Sequence, residues 1–239
     1  MKSTLNQIRA QIKSPSEKQY FDIHVDRYRH ILSQIKRLHL SASSKILDIG
    51  AYPPHLFKIL STWGYQVQGI SSPHEAIKHP HIKTLNIESK NLPFKKNSFD
   101  LVLFTEIIEH LTVHPQKVLI QIKRVLKPSG YLLLTTPNVL RSQNLFSLII
   151  RKNIYFPLDQ LKQLSYHRHN REYTRLEIID LLQSAGFKII RSHHFIAYTP
   201  FRSKNRHDTV ILKLTKIINH LFMTVFPGRR DNIFVLAQI

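Results

Sequence analysis

Asp48, Gly50, His110 and the glutamates just before His110 are the residues of this chain best set for chemistry. Asp48 stands inside the apolar run Lys45-Ile46-Leu47-Asp48-Ile49, two residues before Gly50. A carboxylate at the end of a buried strand stays ionised only if donors surround it. It can hold the following turn through backbone N–H groups. Gly50 lacks a Cβ and lets a ligand come close to the backbone. A helix starting just beyond it would add unpaired N–H groups. Farther on, Thr105-Glu106-Ile107-Ile108-Glu109-His110 leaves a second apolar run. An imidazole with an ordinary pKa of ~6.5 can take a proton from a hydroxyl. His110 and His114 also have the i,i+4 spacing of metal ligands, with Glu109 as a third donor. Pro115 breaks the segment there, so no metal is expected.

Such residues work together only if strand ends are gathered on one edge. The pattern predicts strands at about 45–50, 65–70, 82–86, 99–104 and 131–136, with Pro128-Ser129-Gly130 as the turn before the fifth. Helices are predicted at 54–63 and 115–126, and a short one from Ser72-Pro73-His74-Glu75. Strands alternating with helices predict a parallel sheet with right-handed crossovers. Residues 1–13 read as a loosely held arm. From Ser14-Pro15-Ser16-Glu17, a capping box, apolar residues recur at Tyr20, Phe21, Val25, Tyr28, Ile31, Leu32, Ile35 and Leu38. That helix is expected to pack on the domain. The second half predicts helices at 141–150, 174–185 (Thr174 capping, Glu177 three residues on) and 210–226, and strands within 187–198 and 233–237. Residues 151–170, with Tyr166, His167 and His169, and the basic stretch 199–207 read as loops. Helix 210–226 has a broad apolar face (Val210, Leu214, Ile217, Ile218, Leu221, Val225) beside Lys213, Lys216 and His220.

Bulk composition narrows the classes. With 42% apolar and 21% charged residues, the chain is globular rather than disordered. The absence of cysteine excludes a disulfide scaffold and cysteine-ligated zinc. No apolar run approaches the ~20 residues of a membrane span. Met1–Gln7 lacks the apolar core of a secretory leader, so a cytoplasmic protein is expected. A formal charge of +20 favours polyanions, either nucleic acid or an anionic membrane surface. The basic residues are dispersed, which also suits an ordinary solvated surface.

The order of elements, with four segments, resembles the class I S-adenosylmethionine-dependent methyltransferases, in particular their small-molecule and glycan-modifying group. The segments are Ile46–Gly50, Leu92-Pro93-Phe94 with Asn97–Val102, Glu106–Leu111, and Leu126–Tyr131 leading to Thr136-Pro137-Asn138. The resemblance covers roughly residues 44–198. It implies an α/β fold: a Rossmann-like, seven-stranded, mostly parallel sheet with helices on both faces. Residues 41–239 would be the methyltransferase domain, preceded by an arm and packing helix at 1–40. Segment 141–173 would act as a lid, and 208–226 would be an added amphipathic helix. The implied cofactor is S-adenosylmethionine, held by Asp48, Gly50, Ala51 and Tyr52 after the first strand. Ser71 would contribute after the second strand, Asn86 and Ile87 after the third, and Thr105 and Glu106 after the fourth. His167–Thr174 resembles the family's H-x-R-E-Y-T segment, so His169, Arg171 and Tyr173 could line the pocket, or Arg171 and Glu172 could form a structural ion pair. His110 and His169 are the implied catalytic residues.

Three positions, in two turns, depart from the family pattern. Tyr52 and Pro54 replace small residues, and Ser71 stands where an acid usually takes both ribose hydroxyls; Glu75 could substitute. The expected substrate is a small molecule or a sugar- or lipid-linked acceptor. A binding protein with a degraded cofactor site and an RNA-directed methyltransferase are the other readings. Helix 208–226 could serve a membrane surface or a homodimer contact.

Overall fold

The computed structural model describes residues 1–155, 168–198 and 210–239, of which 210–216 as backbone only. Tyr166, His167 and the stretch 199–207 lie outside the described residues, as do the side chains of Val210, Lys213, Leu214 and Lys216. Seven strands form one sheet: β1 (Lys45–Ile49), β2 (Gln66–Ser71), β3 (Ile82–Thr84), β4 (Phe99–Thr105), β5 (Leu126–Pro137), β6 (Lys188–Phe195) and β7 (Asn232–Gln238). Their order is β3-β2-β1-β4-β5-β7-β6. The pairs β1–β2, β1–β4, β2–β3 and β4–β5 are parallel, while β7 runs antiparallel to both β5 and β6. The carboxyl ends of β1 to β4 therefore share one edge, and the strand order turns outward from β1 in one direction and β4 in the other. That edge is where open α/β sheets bind ligands.

Alternation along the central strands divides the core. Leu101 and Leu103 of β4 join one apolar cluster, and Val102 and Phe104 join the other. Helices α1 (Lys2–Gln11), α2 (Pro15–Lys36) and α3 (His55–Thr62) feed the first cluster. The second is covered by α4 (Gln116–Val125) and α6 (Arg175–Ser184). Val118, Leu119, Ile122 and Val125 of α4 are all buried, as their helical spacing requires.

Three local expectations are corrected. The arm is a helix that buries Leu5 and Ile8 and whose Thr4 accepts a hydrogen bond from Trp63 (3.1 Å), so packing rather than propensity orders it. Ser14 does cap α2 by accepting from the Glu17 N–H (3.4 Å), but the Glu17 carboxylate turns to His55 Nε2 (3.0 Å) instead of closing the box. Pro128-Ser129-Gly130 does not separate two elements. It lies within β5 as an irregular stretch where the β4–β5 register slips between Phe99 and Leu101, and Lys127 Nζ there bonds Asp100 (2.7 Å). At α6 the full capping box forms between Thr174 and Glu177.

Helices α5 (Ser142–Ile149) and α7 (Val210–Val225) pack against each other, and Phe146 and Phe222 meet there at 5.9 Å. No described helix is long and apolar enough to cross a membrane.

Candidate active site

The strand ends surround a cavity of about 640 Å³, within the range of small-molecule sites. Its wall includes Asp48 and Gly50 after β1 and the turn Ser72–Glu75 after β2. Leu85 to Glu88 follow β3, and Thr105 to Glu106 follow β4. Nine of the sequence-derived candidates line it: Asp48, Gly50, Tyr52, Asn86, Ile87, Thr105, Glu106, His110 and His169. Ala51 and Ser71 do not. Ala51 is packed in the core beneath the turn, and Ser71 is fully buried with its hydroxyl 3.4 Å from Thr84 Oγ1. Ser71 is paired with Thr84 across the β2–β3 ladder and is not on the cavity wall. Glu75, one turn later, does line the cavity.

The β1 turn explains its own residue types. Gly50 has φ +86°, and a Cβ there would lie 2.1 Å from Ile107 Cδ1. Its N–H and that of Ala51 both donate to the Ile70 carbonyl at 2.9 Å, which ties the turn to β2. Asp48 is 3% exposed. Burial pushes its carboxyl up to about 7, against the hydrogen bond from the Phe57 N–H in the first turn of α3. Tyr52 stands at the rim, 48% exposed, and leaves the cavity open beside it.

The β4 end is held more tightly. Glu106 has φ +57°, a left-handed conformation that non-glycine residues rarely adopt. Three donors fix it there: Arg27 Nη1 (3.1 Å), Thr135 Oγ1 (2.7 Å) and Asn232 Nδ2 (2.8 Å). Glu109 is 1% exposed. Its Oε2 accepts from Thr136 Oγ1 (2.9 Å), and Oε1 has no hydrogen-bond partner among the described residues. Burial, then the neighbouring Glu106 charge, holds its carboxyl well above the usual range.

The segment 168–174 folds back onto this corner. The N–H groups of Asn170 and Arg171 donate to the Glu109 carbonyl at 2.7 and 3.2 Å. Asn170 Nδ2 donates to the His110 carbonyl (2.7 Å), and His110 Nδ1 lies 2.9 Å from the Arg168 carbonyl. His169 Nδ1 lies 2.8 Å from Glu172 Oε1. The His110 and His169 rings meet edge to face at 5.0 Å. Arg171 and Tyr173 are not on the cavity wall. Nor do Arg171 and Glu172 pair: Arg171 bonds Glu177 (2.7 Å), while Glu172 takes Arg141 through both oxygens (2.5 and 2.9 Å). Burial alone would raise Glu172, but the His169 and Arg141 bonds bring it down to about 2. The metal-like spacing of His110 and His114 goes unused. His114 Nδ1 accepts from the Gln116 N–H (3.3 Å) at the start of α4, and His169 takes the place beside His110.

Sequence reasoning undervalued α2. Beyond its packing face it gives Tyr20, His24, Arg27 and Tyr28 to the cavity wall. The buried Arg27 was the missed signal, because a cation on an otherwise apolar helical face requires a buried acid opposite it. His24 is neutral: burial, then the Arg27 charge, lowers it to about 3. Tyr28 Oη bonds His55 Nδ1 at 3.0 Å.

A doubly wound sheet with an acidic, partly apolar cavity at its switch point has its ligand site where open α/β sheets carry one. The methyltransferase-domain family matches residues 23–192, and the chain belongs to it. This is a family of enzymes whose cofactor is S-adenosylmethionine. A Mycolicibacterium smegmatis protein named as an S-adenosylmethionine-dependent methyltransferase is 24% identical over 166 residues, covering 67% of this chain. The chain spans 58% of that relative's length. Two solved structures share the fold. One is a chain of the complex between the Haloferax volcanii Trm112 methyltransferase activator and its methyltransferase partner. It has a TM-score of 0.63 and 15% identity, covering 97% of this chain and 96% of that one. The other is Haemonchus contortus phosphoethanolamine N-methyltransferase 2 in complex with S-adenosyl-L-methionine. It has a TM-score of 0.55 and 17% identity, covering 88% of this chain and 52% of that one.

The residues present fit that cofactor. Asp48 and Glu75 offer carboxyl groups on the wall, suited to an ammonium group and to ribose hydroxyls. Leu85 and Ile87 offer apolar cover for an adenine ring beside the polar Asn86.

Proposed function

We propose that this chain transfers the methyl group of S-adenosylmethionine to an oxygen of a small-molecule or lipid-linked acceptor. The observation that carries the reading is the cavity at the carboxyl ends of β1 to β4, with acidic side chains on its wall, in a chain of this family. Bound S-adenosylmethionine supplies a methyl on a sulfonium sulfur, which keeps the carbon–sulfur electron pair as the acceptor's lone pair takes the methyl. The chain's own residues then have to position and exclude water. Asp48 holds the cofactor's amino end, Glu75 the ribose, and Asn86 and Ile87 the adenine. Arg27, Tyr20 and Tyr28 close the cavity from the α2 side. His110 and His169 face the acceptor end and hold the reacting oxygen. Calorimetry with S-adenosylmethionine, followed by transfer of labelled methyl to panels of hydroxylated small molecules and glycolipids, tests the assignment. No binding at millimolar cofactor sinks it.

Lipid-linked acceptors are favoured by the surface near α5 and α7. Leu148, Ile149 and Ile150 of one segment and Ile218, Leu221 and Val225 of the other are exposed. Arg151 and Lys152 directly follow Ile150, in a chain of net charge +20. An apolar face with a basic margin suits an anionic membrane surface. Cosedimentation with phosphatidylglycerol vesicles but not phosphatidylcholine vesicles, lost in Ile149→Glu/Leu221→Glu, is the expected result. Equal binding to both, or to neither, removes the preference.

A further inference from the structure

We propose that Glu109, His110 and His169 bind a divalent transition-metal cation at the acceptor end of the cavity. One ligand atom from each lies within 4.8 Å of the others. Two imidazoles and one carboxylate are a donor set for zinc, iron, manganese or cobalt, with positions left for oxygen ligands. A cation at ~2.0–2.2 Å from each atom needs a slightly tighter set.

Four features of the corner point the donors inward. Glu109 is almost wholly buried, Thr136 occupies its Oε2, and its Oε1 has no hydrogen-bond partner among the described residues. That oxygen lies 3.9 Å from His110 Nε2. A carbonyl only accepts, so His110 Nδ1 carries the proton in its bond to Arg168, and the ring's lone pair is on Nε2. His169 Nδ1 likewise donates to the Glu172 carboxylate, which puts its lone pair on Nε2. A carboxylate or carbonyl behind each histidine is the arrangement that orients metal-ligating imidazoles. Glu172 is itself anchored by Arg141 and Asn144 Nδ2 (3.1 Å), so the His169 ring rests on a fixed support. Glu106 is not counted as a ligand, because Arg27, Thr135 and Asn232 already use both its oxygens.

The use of the ion rests on the methyl-transfer reading; the binding does not. In that reaction the ion would orient and acidify an acceptor hydroxyl. The hydroxyl proton leaves to solvent water, the oxygen bonds the methyl carbon, and the carbon–sulfur pair stays on sulfur.

The test uses the full chain, stripped with chelator and titrated with Co²⁺ without S-adenosylmethionine. One Co²⁺ per chain is expected, with visible absorption bands that Zn²⁺ abolishes. His169→Ala and His110→Ala should each remove the bands. Glu172→Gln should weaken binding about 10–100-fold, the usual effect of losing an outer support. His79→Ala, away from the corner, should change nothing, which matters in a chain with 15 histidines. Should Glu109→Gln fail to fold by circular dichroism, the His169→Ala result decides. No saturable Co²⁺ binding at millimolar metal, or binding that survives His169→Ala, overturns the proposal. Calorimetry with S-adenosylmethionine on the same samples separates the two readings, since either ligand can bind while the other does not.

Discussion

The buried carboxyl of Asp48 makes the stability of the ligand-free protein depend on pH in a defined direction. Its folded pKa of about 7 lies above the ordinary 3.8. Below pH 3.8 the group is protonated in both folded and unfolded chains and contributes no pH dependence. Between 3.8 and about 7 the unfolded chain ionises first and holds fewer protons, so stability falls as pH rises. Above about 7 both states are ionised, and the loss is complete. Each pH unit in that window costs up to about 1.4 kcal/mol, so the whole window costs about 4 kcal/mol. Asp48→Asn keeps an oxygen to accept the Phe57 N–H and cannot ionise. It adds a buried amide donor pair, at a pH-independent cost of ~1–3 kcal/mol. The free energy of unfolding, measured by urea denaturation of both proteins from pH 4 to pH 8, gives the contrast. Wild type minus variant should fall by about 4 kcal/mol across the range and flatten above pH 7. Subtraction removes the other titrating groups, including Asp231, which burial raises to about 6. A difference that stays flat within about 1 kcal/mol refutes a neutral buried Asp48.

The same carboxyl predicts proton release on cofactor binding. At pH 6, a cationic ligand that re-ionises Asp48 should release close to one proton, read from calorimetry in buffers of different ionisation heat. Affinity should rise up to about tenfold per pH unit and level off near pH 7, and Asp48→Asn should remove that slope. At Gly50, alanine should destabilise by ~1–2 kcal/mol from the left-handed backbone and by ~1–3 kcal/mol from overpacking against Ile107. Adding Ile107→Ala should recover only the second part, measured by thermal denaturation. Removing Arg27 from its part-buried pair should cost ~3–5 kcal/mol in Arg27→Met. Glu106→Gln in that background should restore part of it, and a double-mutant cycle with no coupling would show that the pair is not what orients α2.

The central sheet was legible because β1 and β4 are short, largely apolar runs and the strands are bounded by glycine, proline or serine. Their alternation with helices gave the parallel pairing, while the order β3-β2-β1-β4-β5-β7-β6 is visible only in the structure. What stayed hidden rests on partners far apart in sequence. Nothing near residue 5 announces that Leu5 and Ile8 will pack onto the sheet layer, because the helix is too short to hold itself. Nothing near Ser71 says that its hydroxyl points into the sheet toward Thr84, since that depends on where β2 ends within a residue. The pairing of Arg171 with Glu172, one of the two readings of that segment, does not form, for a geometric reason. Neighbours in an extended segment point to opposite sides, so each took a partner on its own side, Glu177 for one and Arg141 for the other.

The acceptor corner shows the same logic at the site itself. Glu106, held left-handed by donors from α2, β5 and β7, turns the chain sharply at the end of β4. The short turn Ile108–His110 that follows points Glu109 into the protein and His110 into the cavity. Those two orientations would be worth little if the segment bearing His169 were held only at a distance. Instead it is laced to the same turn through the carbonyls of Glu109 and His110 and back through the carbonyl of Arg168. The lacing uses the Nδ1 edge of His110 and the Asn170 amide, and leaves the Glu109, His110 and His169 side chains gathered at one corner. A substitution that weakens the lacing without touching those three, such as Asn170→Ala, should therefore loosen the His110–His169 juxtaposition. It should lower Co²⁺ affinity and acceptor turnover together while leaving S-adenosylmethionine binding in place. If Asn170→Ala instead weakened cofactor binding and left Co²⁺ binding intact, the two ends of the cavity would not be built as independently as the hydrogen bonds imply.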